Sequence, residues 1–66
     1  MQIHVNGEAR EVPEGLTAAT LLTHLGLNPT RVAMERNLEI LPRAAWPSTS
    51  VSAGDRFEIV HFVGGG

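Results

Sequence analysis

Cysteine and tyrosine are absent from this 66-residue chain, and its five basic residues are all arginine. Without cysteine, neither a disulfide nor a thiolate metal site can staple the fold. Three aromatic residues and a formal charge of −2 leave no basic patch with stacking rings. Nucleic acid is therefore excluded as a partner. No apolar run approaches the roughly 20 residues that span a bilayer. Met1 leads straight into a strand pattern, with no signal-peptide organisation, so a cytoplasmic location is expected. Glycine-rich phosphate loops and nucleophile motifs are missing. His4, His24 and His61 lack metal-ligand spacing, and no metal site is expected. So short a chain has little room for a substrate pocket plus a catalytic constellation, and an enzyme is not expected.

What remains is one small domain. Its 42% hydrophobic residues can supply a single compact core. That core must carry the fold, since a domain of this size buries only about 60% of the surface its unfolded chain exposes.

The chain opens with alternation over 1–5, Ile3 and Val5 against Gln2 and His4, which reads as a half-buried strand. Asn6-Gly7 is a strong hairpin signal, because a type I′ turn needs positive φ at both central residues. Residues 8–12 read as the returning strand, broken at Pro13-Glu14-Gly15. Thr17 has the character of an N-cap for a helix over 18–25, with Leu21, Leu22 and Leu25 on one face. Gly26 is placed for a left-handed C-cap, and Pro29 prevents the helix resuming. A second alternating run covers 31–36. A short strand over 39–41 stops at Pro42. One helical turn over 43–46 ends before Pro47, and Ala53-Gly54-Asp55 is a tight turn into a last strand over 57–63. Trp46 reads as a core plug, Asp55 as a turn residue, and Arg36 and Arg43 as solvated cations.

Five strand segments around one helix point to an α+β fold with a mixed four- to five-stranded sheet and the helix packed on one face. If the first and last strands are parallel neighbours in the middle, this is the β-grasp, or ubiquitin-like, arrangement. The domain is expected over 1–63, with 64–66 as a flexible tail.

The last strand carries the functional signal. Phe57, Ile59, His61 and Val63 share one face, and Glu58, Val60 and Phe62 the other. Phe57 and Ile59 are the core candidates. Val60 and Phe62, joined by Ala33 if the third strand is adjacent, then form an apolar patch on the open side of the sheet, which usually marks a contact surface. The alternative is that the loop containing Trp46 covers them. Beyond this strand come Gly64, Gly65 and Gly66. Three glycines contribute nothing to a core. They offer a thin arm whose carboxylate, with a pKa near 3.5, is ionised at neutral pH.

Taken together, these segments resemble the ThiS-type sulfur carrier proteins of bacterial thiamine biosynthesis. The resemblance rests on the opening strand with Asn6-Gly7 and on Gly15-Leu16-Thr17 with Leu21-Leu22. It rests also on VAMERNLEILPRAAW over 32–46 and GDRFEIVHFVGGG over 54–66. The family turn often reads Asn-Gly where this chain has Asn37-Leu38, a departure expected to alter only the turn type. The resemblance implies that an activating enzyme, using ATP and magnesium, adenylates the Gly66 carboxylate. A sulfur donor protein then converts it to a thiocarboxylate, which passes sulfur to thiazole synthase. Gly65 and Gly66 match the diglycine of the family motif, and Gly64 and Gly65 would thread the tail into the partner's active site. The chain is then a protein co-substrate that binds no cofactor of its own. A carrier for another pathway, a ubiquitin-like modifier and a plain interaction domain remain as other readings.

Overall fold

In a computed structural model of the chain, residues 1–62 are described. The expected boundary at 63/64, and the expectations placed on Gly64, Gly65 and Gly66, lie outside them.

The sheet has five strands: β1 Gln2–Val5, β2 Glu8–Glu11, β3 Val32–Arg36, β4 Glu39–Ile40 and β5 Arg56–His61. Their order is β2-β1-β5-β3-β4. The first and last strands are central neighbours and run parallel, and every other pairing is antiparallel. This is the β-grasp order expected from the sequence. The hairpin between β1 and β2 has φ of 51° at Asn6 and 83° at Gly7, the two positive values that a type I′ turn demands.

The single helix, α1 Ala18–His24, packs across one face. Thr17 caps it through a reciprocal pair: its Oγ1 accepts from Thr20 N, and Thr20 Oγ1 accepts from Thr17 N. Threonine thus does at N3 what Glu or Gln does in the usual capping box. At the other end, Gly26 adopts φ of 75°. Gly26 N donates to Thr23 O and Leu27 N to Leu22 O, which closes a Schellman motif. Ala18, Leu21 and Leu22 from α1 are buried against Ile3, Val5, Val32, Met34, Phe57 and Ile59 of the sheet. Trp46 and Val51 close the open side of this core.

Two short 3-10 segments differ from expectation. Pro29 does more than block helix resumption: it opens a turn at Pro29–Arg31, capped by the Asn28 side chain. The second segment runs Arg43–Ser48, through Pro47 rather than ending before it. Ala45 N donates to Pro42 O and Thr49 N to Trp46 O, so Pro47 falls where no N–H is required.

The turn between β3 and β4 also departs from expectation. Asn37 and Leu38 have φ of 52° and 71°. Leucine has not changed the left-handed character of the turn. It has taken the conformation in which an L side chain crowds the following carbonyl, at a cost of about 1–2 kcal/mol. Leu38 is 86% exposed and recovers nothing by packing. Part of the relief from glycine is offset by its greater freedom in the unfolded chain, about 0.5–1 kcal/mol. Leu38→Gly is therefore expected to raise stability by about 0.5–1 kcal/mol, seen as a melting temperature higher by several degrees. A melting temperature at or below that of the parent chain would refute the strain argument.

Candidate functional site

The strand that leads to the glycines is the most firmly held in the sheet. On one side β5 pairs with β3 from Val32↔His61 to Arg36↔Phe57, and Phe62 N donates to Arg31 O beyond the strand's end. On the other side β1 pairs only at His4↔Arg56 and Val5↔Phe57. There the hairpin asparagine takes over. Asn6 N donates to Phe57 O, Asn6 Oδ1 accepts from Ile59 N at 2.7 Å, and Asn6 Nδ2 donates to Ile59 O at 3.2 Å. The carboxamide thus imitates one further peptide of β1. The sequence marks Asn6 as a turn residue and gives no hint of this second task.

The start of β5 is fixed by a buried carboxylate. Asp55 accepts from Arg36 Nε at 3.0 Å, Asn37 Nδ2 at 3.2 Å and Ser52 N at 2.8 Å. Asn37 Oδ1 in turn accepts from Arg56 N at 2.9 Å. Burial by itself would raise the Asp55 pKa. The hydrogen bonds from Ser52, Asn37 and Arg36, with the guanidinium charge, outweigh it and hold the carboxyl below its ordinary value. Asp55 is a turn residue, as expected, and also the junction joining β3, β5 and the loop before β5.

This corrects the reading of Arg36 as a solvated cation and adds contacts to that of Arg43, which is exposed as expected. Arg36 is the ion-pair partner of Asp55. Arg43 donates to Pro29 O and Val32 O and lies 4.6 Å from the centre of the Trp46 ring. Trp46 is buried and donates from Nε1 to Leu41 O, a core plug as expected. While exposed, Arg43 also ties the long loop to the foot of β3 by carbonyl capture and ring stacking.

The open face carries the candidate site. Val60 is 61% exposed and Phe62 57% exposed, and Ala33, directly opposite Val60, is exposed as well. The loop with Trp46 therefore does not cover them. Trp46 and Phe62 line one groove, together with Leu41 and Pro42. Ile40, on β4 opposite Glu35, is 80% exposed and extends the apolar surface to the sheet edge, a contribution the sequence reading missed. Its signal was available in principle: Ile40 follows Glu39 with side chains alternating, so one of the two had to face outward. Phe62 precedes Gly66 by four residues, at most about 14 Å of extended chain. The patch and the expected reactive group thus lie within one partner's reach.

The remaining candidates are scattered. His4 is half-buried on β1, His24 ends α1, and His61 is exposed at the end of β5. Among the described residues, no three metal-ligating side chains come together, and no helix is long and apolar enough to cross a membrane.

The sequence model of the ThiS family matches residues 3–66. The chain is 32% identical to the sulfur carrier protein ThiS of Escherichia coli, over all of both chains. It is 44% identical to a thiazole synthase of Paramagnetospirillum magneticum, covering all of this chain but only 20% of that protein's length. Its fold superposes on the crystal structure of the thiamine biosynthesis protein ThiS from Geobacter metallireducens with a TM-score of 0.87. The two are 38% identical, over the whole of both chains. With the sheet order and the open-face patch already in view, these likenesses agree: the chain belongs to the ThiS family.

Proposed function

We propose that the chain carries sulfur as a thiocarboxylate on Gly66 and delivers it to a thiazole synthase for thiamine biosynthesis. The observation that carries this reading is the family match, which covers residues 3–66 and so includes the final glycines. A carboxylate is a poor electrophile until one oxygen joins a good leaving group. In the proposed sequence the Gly66 carboxylate attacks the α-phosphorus of ATP and pyrophosphate departs. Sulfide-level sulfur handed over by a donor protein then attacks the acyl carbon, and AMP departs with the electron pair of the broken C–O bond, leaving the thiocarboxylate. The activating enzyme supplies ATP, magnesium and a site that shields the mixed anhydride from water. This chain supplies no acid, base or nucleophilic side chain; it is the co-substrate. Gly64 and Gly65 bring the carboxylate into that site, since an arm without β-carbons fits a narrow channel. The synthase partner is supported by the thiazole synthase relatives, in which a segment like this chain forms part of a longer protein.

Intact mass tests the reading. After incubation with activating enzyme, ATP and sulfur donor, the chain should gain about 16 Da, one oxygen exchanged for sulfur in an acyl transfer. A chain that stays at its starting mass, while a known carrier gains it in the same mixture, would end the proposal.

Val60, Phe62 and Ala33 serve as the docking patch in this reading. Val60→Ala and Phe62→Ala should each weaken binding to the activating enzyme about tenfold, as loss of an interface anchor does. Because both side chains are more than half exposed, melting temperatures should move by only a few degrees. Unfolding of both variants would mark the patch as core instead.

A further inference from the structure

We infer that the open face holds, beside the apolar patch, an anionic seat for one arginine or lysine of the activating enzyme, formed by Glu35 and Glu58. The inference rests on the docking role of this face. Glu35 on β3 and Glu58 on β5 are direct cross-strand partners. Asn37 N donates to Arg56 O, and Phe62 N to Arg31 O. These bonds mark the alternation of the ladder, and 35/58 falls on the same hydrogen-bonded phase as 33/60. Side chains opposite one another in such a pair have Cβ atoms about 5 Å apart, and like charges there destabilise a sheet. Both glutamates are exposed. Among the described residues, the ion pairs are Met1 with Glu11 and Arg36 with Asp55, so neither glutamate is held in an ion pair, although exposed Arg56 stands two residues before Glu58 on the same face.

The two carboxylates are not on open ground. They stand at the wall of a groove of about 180 Å³ whose other walls include Ala33, Ile40 and Val60. An acidic pair above an aliphatic floor suits a long basic side chain. Its methylenes lie along Ile40 and Val60 while its charged head lies between the carboxylates. Arginine fits better than lysine, because its planar fork can serve two carboxylates at once. The occupant is thus a segment of the activating enzyme that presents an arginine next to an aliphatic residue. The activating enzyme is a partner met by free association whether or not a carrier segment is fused to its synthase. In the relatives named thiazole synthase, the carrier-like segment is part of the same chain as the rest of that protein, and such linkage lowers the need for a strong interface.

The test sets binding against stability. Glu35→Gln, Glu58→Gln and the double variant are titrated against purified activating enzyme by calorimetry, alongside thermal melts. The single variants are expected to weaken binding severalfold and the double variant about tenfold, chiefly through slower association. The deficit should shrink in high salt, which screens exposed charges. The double variant should melt at or above the temperature of the parent chain. Lower affinity with equal or greater stability is the signature of charges kept for a partner. A double variant that binds within twofold of the parent, yet still gains about 16 Da, overturns the seat and leaves the carrier reading standing. A double variant that melts well below the parent assigns the glutamates to the fold and also overturns it. A parent chain that binds in a glutamate-dependent way but never gains mass keeps the seat and loses the carrier reading.

Discussion

A chain lacking Gly66 should gain no sulfur, while melting at the same temperature as the full chain. The truncated chain still ends in an ionised carboxylate, now that of Gly65, so its intrinsic chemistry is unchanged. What changes is position. One residue spans about 3.3–3.6 Å of extended backbone. In-line attack on a phosphorus atom requires the oxygen within about 3–3.5 Å, and an error of 1 Å can cost about a hundredfold in rate. A deficit of a whole residue should therefore lower adenylation by at least about a hundredfold, which intact mass reads as no detectable gain. The fold should be indifferent. The buried core lies within residues 3–59, as do the Asn6 and Asp55 contacts that hold β5. Sulfur gained without Gly66 would show that its carboxylate is not the reactive group.

The largest effect on stability is expected from Asp55→Ala. The substitution removes one acceptor and strands three donors. Arg36 is left without its counter-charge and 29% exposed, Asn37 loses the partner of its amide nitrogen, and Ser52 N is left unbonded. Breaking a buried pair on one side costs about 3–5 kcal/mol, and the partial exposure of Arg36 lowers this to about 3 kcal/mol. In a domain this small that moves the melting temperature by about 12–24 °C. The pH dependence has a definite sign. The folded-state pKa of Asp55 is depressed, so its stabilisation is complete above the ordinary aspartate value of about 3.9. It is lost as pH falls through the lower folded value. The stability gap between parent and variant should thus be full at pH 7 and narrow progressively below pH 4. Denaturant titrations at a series of pH values measure that gap, and a gap unchanged at pH 2 would exclude the carboxylate as its source.

The sequence and the structure part company along a physical line. Local signals were legible. Asn6-Gly7 needed two positive φ values and has them, Thr17 caps α1, and Gly26 ends it. The period of two along β5 separated Phe57 and Ile59 from Val60 and Phe62 correctly. What could not be read were contacts between residues far apart in the chain, which depend on register. Asn6 bonds to Ile59 across 53 positions and Arg36 to Asp55 across 19. No window of about 11–18 residues, the span over which periodicity is read, contains both members of either pair. The opposition of Glu35 and Glu58 has the same origin, since a shift of β3 by one residue would turn every side chain to the other face. Arg43 is exposed as read, but its bonds to Pro29 O and Val32 O went unseen because the partners are backbone atoms, which no side-chain pattern announces. Leu38 was misread from assuming that losing glycine loses the glycine conformation.

The central placement of β5 bears on how this molecule withstands force. In the proposed role, a partner's pull on the chain is transmitted to the sheet through β5. Its hydrogen bonds to β3, and to β1 with Asn6, lie across the strand axis, so the load falls on them in shear and they share it. A terminal strand at the sheet edge could be peeled away one bond at a time. Here a pull along β5 is distributed over both flanks.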